Sequence, residues 1–177
     1  MLTVGDMLLY AFARARPVAT LLTALTTAVA LAATASPAHA AGVQDRVDAY
    51  LKAHPGGTQI GPADIAYSGG RFVVTVVRTD LTAAAPDCPT NWYCFYDGPN
   101  YTYPRGKLSD CGAQDLGTWG WRNRTASVHY RMSTGSVTFL NESGATDTPL
   151  FTASTTRRTI PDVAPYRDTA DYVYRTC

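Results

Sequence analysis

The stretch Asp87-Cys88-Pro89-Thr90-Asn91-Trp92-Tyr93-Cys94-Phe95-Tyr96-Asp97-Gly98-Pro99-Asn100-Tyr101-Thr102 carries most of what this 177-residue sequence says about its fold. Two cysteines bracket the entry to an aromatic run, Trp92 to Tyr96, that reads as a strand and is followed by turn residues. Sliding this part of the chain by 44 residues brings Phe95 onto Phe139, Thr125 onto Thr169, Ala126 onto Ala170, Tyr130 onto Tyr174 and Arg131 onto Arg175. Each half opens on a strand-like run (Trp92 to Tyr96; Val137 to Leu140) and closes on an aromatic one (Ser127 to Arg131; Tyr172 to Arg175). Val137 and Phe139 alternate with Ser136 and Thr138, the period of a strand with one face buried. Two such units predict a pair of four-stranded Greek keys packed as a sandwich.

Working outward, the segment before this domain is of a different kind. Val43, Val47, Tyr50 and Leu51 fall at i, i+4, i+7 and i+8, one stripe of a short helix over 43–53, which His54-Pro55-Gly56-Gly57 stops. Two β-branched runs, Ile65 to Tyr67 and Arg71 to Arg78, flank Ser68-Gly69-Gly70 as a hairpin would. Thr79 to Pro86 reads as a linker. A unit of this size is too small to hold a core alone, so it either packs on the rest or is a removable prosegment.

The first forty residues run in the order of a secretory leader. Arg14 and Arg16 supply the charge, Val18 to Ala33 is uncharged and mostly Ala, Leu, Thr and Val, and Ala38-His39-Ala40 fits a small-x-small cleavage rule. A membrane anchor is the alternative, and the stretch is short and Thr-rich for one. Removing Arg14, Arg16 and Asp6 from the 15 basic and 14 acidic residues leaves the exported part balanced, with no run of like charge. Such a surface has no long-range field to hold nucleic acid or an anionic membrane. Secretion to the extracellular space, as a monomer, is the expectation.

All four cysteines, Cys88, Cys94, Cys111 and Cys177, lie in the exported part and read as a disulfide framework. Three pairings are open. The favoured one joins Cys88 to Cys94 across a strand-entry loop and Cys111 to Cys177 across a long one, the latter contributing on the order of 4 kcal/mol in the chain-entropy model. Zinc is the rival reading, but C-x5-C is not finger spacing.

Asp87-Cys88-Pro89 followed by the run from Trp92 to Thr102 resembles the opening key of the βγ-crystallin fold. In particular it is similar to the secreted bacterial peptidase-inhibitor family thirty-six, whose best-known member inhibits a metalloproteinase. Leu108-Ser109-Asp110-Cys111-Gly112, Asp115-Leu116-Gly117 and Thr125-Ala126-Ser127-Val128 continue the pattern, so the resemblance covers 87–131 well and the remainder more weakly. It implies a mainly all-β chain: a βγ-crystallin-like double Greek-key sandwich over 87–177, preceded by a leader (1–40) and a helix-plus-hairpin unit with linker (41–86).

Three departures limit what the resemblance carries over. Tyr103 stands where the family hairpin has Gly, a residue that folds back at positive φ, so the turn is alternatively placed at Pro104 to Gly106. Crystallin calcium sites resemble Asn/Asp-Asn/Asp-x-x-Ser/Thr-Ser, whereas this chain has Arg122-Asn123-Arg124-Thr125-Ala126-Ser127 and Arg167-Asp168-Thr169-Ala170-Asp171-Tyr172. A guanidinium stands where an oxygen ligand should, so no metal and no cofactor are expected. The family's inhibitory loop is braced by a disulfide in the second half, and here no cysteine lies between Cys111 and Cys177.

No constellation of catalytic residues is present, so an enzyme is not expected. His54 reads as a capping or solvent-exposed residue at a helix end, and His129 as a surface or sheet-face residue of a strand. Among the aromatics, Tyr96 and Tyr101 read as core. Trp119 and Trp121 occupy alternate positions of an apparently extended segment, and either bury together or, with Tyr103, present a ridge to a protein or sugar. Asn100, Asn123 and Asn141 match glycosylation acceptors and read as ordinary turn residues. The polar, turn-rich loop from Asn141 to Thr148 is the first candidate for a contact surface. The resemblance thus implies a secreted peptidase inhibitor, of metalloproteinases in the best-known case, that occupies a protease cleft with a loop. The alternative is a secreted crystallin-like binding or antimicrobial toxin module, and a third option is a structural secreted protein with no active surface.

Overall fold

The structure is a computed structural model that describes residues 37–79, 85–144 and 146–177, with 37–41 described by backbone alone. The expected leader up to residue 36 and the linker positions 80–84 lie outside the described residues. No described helix is long and apolar enough to cross a membrane.

The helical stripe forms helix α1, Pro37–Ala53. Val47 and Tyr50 are buried and Val43 and Leu51 half-buried, while the positions between them face outward. His54 N donates to Tyr50 O (2.8 Å) as the final turn, and Gly56 takes a left-handed backbone (φ 92°) beyond Pro55. After a short edge strand β1 (Thr58–Gln59), the expected hairpin follows as β2 (Asp64–Tyr67) and β3 (Phe72–Thr75). A 3-10 turn at Ser68–Gly70 joins them, with all three residues at positive φ. The second strand ends at Thr75, short of the Arg78 expected from the β-branched run.

The remaining strands are β4 (Tyr93–Gly98), β5 (Thr102–Leu108), β6 (Gly112–Asp115), β7 (Ser127–Tyr130), β8 (Ser136–Ser143), β9 (Thr146–Ser154), β10 (Thr159–Ile160) and β11 (Tyr172–Thr176). The chain is mainly β, in two antiparallel sheets ordered β1-β2-β3-β5-β4-β7-β10 and β6-β11-β8-β9. The four strands from β4 to β7 and the four from β8 to β11 are the two repeated halves. Each half contributes its third strand to the other's sheet: β6 pairs with β11, and β10 pairs with β7. This arrangement is compatible with a crystallin-like double Greek key. The hairpin from the N-terminal unit extends the first sheet, because β3 pairs with β5.

Between the sheets the repeat has a direct physical expression. Phe95 and Phe139, which the 44-residue slide superimposes, meet edge-to-face at 5.9 Å in the core. Phe139 stacks on Phe151 at 4.7 Å, and Phe95 meets Trp121 at 5.3 Å. Phe72 of β3 stacks on Phe95 and on Trp119, so the N-terminal hairpin shares this core. A second cluster on the outer face of the first sheet consists of Cys88, Cys94, Tyr96 and Tyr101, with Trp92 and Tyr103 against it.

The bridges are Cys88–Cys94 and Cys111–Cys177, the pairing favoured from the sequence, with Cα atoms 5.6 and 5.8 Å apart. The second ties Cys177, which follows β11, to Cys111 in the loop before β6, 66 residues away in sequence.

The β4–β5 hairpin turns at Pro99–Tyr101, and the alternative turn at Pro104 to Gly106 is incorrect. Asn100 (φ 52°) and Tyr101 (φ 61°) take the left-handed backbone, and Tyr103 lies within β5. Asn accepts that conformation readily and Tyr does not, so Tyr101 needs help. Ser127 supplies it: its Oγ accepts from Tyr101 N (3.0 Å) and donates to Gly98 O (2.7 Å). Asn123 is likewise a left-handed turn residue, but Asn141 lies in β8.

Gly106 is needed for packing rather than for a turn. A Cβ there would lie 2.6 Å from Phe95 and 3.0 Å from Phe72, two fully buried rings with no room to retreat. Gly106→Ala is therefore expected to destabilise the fold by about 1–3 kcal/mol through overpacking. Urea denaturation should show a lower midpoint at unchanged m-value.

Candidate functional site

Of the two readings open for Trp119 and Trp121, joint burial or a surface ridge, the structure shows burial. Trp119 is 6% exposed and Trp121 fully buried. The reason is local: Leu116–Trp119 is a 3-10 turn capped by Asp115, whose carboxylate accepts from Gly117 N, and Gly120 then reverses the chain at φ 67°. The segment is not extended, so alternation does not apply. Trp119 stacks on Phe72 at 4.7 Å and donates from Nε1 to Ser68 Oγ (3.0 Å).

Tyr103 is half-buried and serves as a brace. Its hydroxyl donates to Asp87, and the guanidiniums of Arg78 and Arg105 lie 5.4 and 5.6 Å from its ring centre. Asp87 also accepts from Tyr96 and pairs with Arg105 (3.0 Å). Burial pushes the Asp87 carboxyl up, but the Tyr103 hydrogen bond and the charge of Arg105 outweigh it and hold the group below the usual carboxylate range.

Among the described residues neither His54 nor His129 has a catalytic partner. His54, expected to be a capping or solvent-exposed residue, is half-buried just past the end of α1: its ring packs on Tyr50 at 4.5 Å, and Nε2 lies 3.4 Å from Arg124 Nη1. Burial and the Arg124 charge lower its pKa. Arg124 is the hub here, paired with Asp97 (2.9 Å) and set over Trp121 at 4.4 Å, so it joins helix α1 to the sandwich. His129 lies on the outer sheet face, opposite Cys94 in register, but is only 8% exposed. No group of three or more His, Cys, Asp or Glu able to hold a metal occurs among the described residues.

Asn141 and Thr148, by contrast, face each other in the β8–β9 hairpin, the longest in the chain. Its root is fixed. With the amide oriented by its hydrogen bonds, Asn141 donates to Asp171 Oδ2 (3.0 Å) and Thr169 O (2.7 Å). Glu142 N also donates to Asp171 Oδ2 (2.9 Å), and Glu142 Oε2 accepts from Arg122 Nη1 (2.6 Å). Arg122 in turn bonds Asp115 (2.9 Å) and the Tyr172 hydroxyl (2.6 Å) and lies over the Tyr172 ring. The Arg122 hydrogen bond keeps the Asp115 carboxyl below its ordinary pKa. Beyond that root the tip is exposed: Ser143, Gly144, Thr146, Asp147, Thr148 and Pro149 all face solvent.

The sequence offered no signal for this anchoring, because the β11–β8 pairing brings Asp171 to Asn141, and the turn after β6, bonded to residues 170 and 171, brings Arg122 to them. Cys88, Cys94, Cys111 and Cys177 are all bridged and leave no thiol for chemistry.

Burial, then the charge of Arg131, holds the His129 imidazole down at about 4, with Asp87 opposing and Arg158 adding to the effect. The unfolded chain, with an ordinary value near 6.5, binds the proton first as pH falls. The His129 contribution to stability is therefore complete above about pH 6.5 and lost as pH drops toward 4, at up to about 1.4 kcal/mol per pH unit. Urea denaturation of the wild type and His129→Gln between pH 7 and 4.5 should show the steeper decline in the wild type.

No curated protein and no solved structure matches the chain. Over residues 82–148, a span that contains the resemblance at 87–131 and ends in the β8–β9 hairpin, the chain matches the model of Peptidase inhibitor family I36.

Proposed function

We propose that this chain is a secreted peptidase inhibitor that presents the β8–β9 hairpin, Asn141 to Thr148, to the cleft of its target, with metalloproteinases as the first class to test. The family match supports the inhibitor role, and the observation that carries the choice of hairpin is its combination of a fixed root with an exposed tip. An inhibitor must lose little conformational entropy on binding and must resist opening inside the protease cleft. Four side chains (Asn141, Glu142, Asp171 and Arg122) hold the β8 side of the hairpin root, whereas the tip is exposed. A non-catalytic protein is the reading that fits an inhibitor family.

The test is a titration of a thermolysin-like and a subtilisin-like peptidase with the purified protein. Stoichiometric loss of activity of at least one is expected, with the inhibitor intact on a gel afterwards. Asp147→Lys with Thr148→Lys should raise the inhibition constant roughly tenfold, as loss of one good interfacial contact does, without changing the melting temperature. Undiminished activity of both enzymes at micromolar inhibitor would count against the function. Unchanged inhibition by the double variant would move the contact to another loop.

A further inference from the structure

On the outer face of the first sheet lies a cleft of about 460 Å³ that the inhibitory hairpin does not use. His129 of β7 forms part of it, with Thr90 and Asn91 from the loop before β4, Arg131 and Ser133 from the chain after β7, and Arg158 from the approach to β10. No carboxylate lines this cleft.

Six of the nine other described arginines are ion-paired, and Arg46, Arg157 and Arg175 are not. Arg71, Arg78, Arg105, Arg122, Arg124 and Arg167 each lie within ion-pair distance of an Asp or Glu. Arg131 and Arg158 share one cleft, and among the described residues neither has an acidic partner. Both are nevertheless held in place. Arg158 Nη1 donates to Met132 O (3.0 Å) and Tyr130 O (3.3 Å), and Arg131 Nη2 donates to Thr90 Oγ1 (3.2 Å). Most of the five N–H donors of each guanidinium remain for something else. Between them His129 is more than nine-tenths buried, and its Nδ1 has no hydrogen-bond partner among the described residues. A buried polar nitrogen without a partner is uncommon, since it loses its hydration with nothing in exchange.

We infer that this cleft binds a small oxyanion, held between the guanidiniums of Arg131 and Arg158 with the His129 imidazole and the Thr90 and Ser133 hydroxyls beside it. Two cations facing one space repel each other, and an oxyanion relieves that repulsion while taking charge-assisted hydrogen bonds from both. His129 has a ring N–H to offer in its neutral form, and the nearest acid acting on it, Asp87, is already engaged by Arg105, Arg78, Tyr96 and Tyr103. The same chemistry suits a free inorganic oxyanion and the terminal carboxylate of a peptide.

The experiment follows the His129 ring and arginine side-chain NMR signals of the purified protein at constant ionic strength. Inorganic phosphate is titrated in one arm, and an acetylated dipeptide acid in another, against the same dipeptide with an amidated end. Saturable shifts confined to His129, Arg131 and Arg158 are expected with phosphate, with the peptide acid, or with both. The arm that saturates names the source, and the amide should give no shift. Arg131→Gln, at an exposed position whose side chain donates to Thr90 Oγ1, should weaken binding roughly tenfold without altering the fold. Arg158→Gln should do the same. Shifts that follow ionic strength without saturating in every arm, or titrations unaltered by Arg131→Gln, would overturn the site.

Discussion

The exchange of third strands is the constraint on which the rest of this structure depends. With β6 in the second sheet and β10 in the first, neither half can complete its sheet alone. The 3-10 turn that follows β6 and the loop that follows β10 must therefore cross between the layers, and those crossings place Leu116, Trp121, Val163 and Ala170 in the core. Phe95 and Phe139 then meet at the centre because they occupy equivalent places in halves related by near-symmetry. Separating the halves would therefore strip a strand from each sheet.

The N-terminal unit takes advantage of the open edge that the exchange leaves. An exposed edge strand is a template for unwanted pairing, and β5 would be one. Pairing with β3 covers it, and Phe72 enters the aromatic cluster at the point where Gly106 leaves space. The helix before it is held by Val47 and Tyr50 below and by Arg124 above, whose partners include Asp97 of the sandwich. The same contacts explain why a segment too small to have its own core is ordered here.

How much of this could be read from the sequence depended on whether the signal was local. Period-four apolar residues gave α1, period-two alternation gave β8, and the aromatic run gave β4, because in each the burial of a side chain follows from its own neighbours. The 44-residue repeat was legible for the same reason applied twice. What misled was any inference that took a local conformation for granted. Trp119 and Trp121 were placed on an extended segment, and a capped 3-10 turn with left-handed Gly120 turned them inward. Tyr103 drew attention to the wrong turn, since the strain of the hairpin falls on Asn100 and Tyr101 and is relieved by Ser127, 26 residues away. His129 was assigned its correct face but not its burial, because the loop at Thr90 and the chain around Arg158 that cover it are distant in sequence. The hairpin at Asn141 to Thr148 was visible as polar and turn-rich, while its anchoring by Asp171 and Arg122 was not.

The two arginines that break the crystallin-like ion motif, Arg122 and Arg167, bear on how that anchoring works. Each occupies the first position of its motif and bonds a carboxylate: Arg122 reaches Asp115 and Glu142, and Arg167 reaches Asp162. Hydrogen bonding to Arg167 and Ala164 N draws the Asp162 carboxyl down to about 2. A guanidinium offers fixed, planar donors, so it orients the carboxylates it joins instead of merely gathering them, as a spherical ion would. In the first half this orientation has a structural consequence, since Glu142 lies just beyond Leu140, the last β8 residue paired with β11, where β8 and β9 run on as a two-stranded hairpin. The cation that sets the hairpin's root is thus part of the chain itself. Its hold on Glu142 is independent of the supply of any ion.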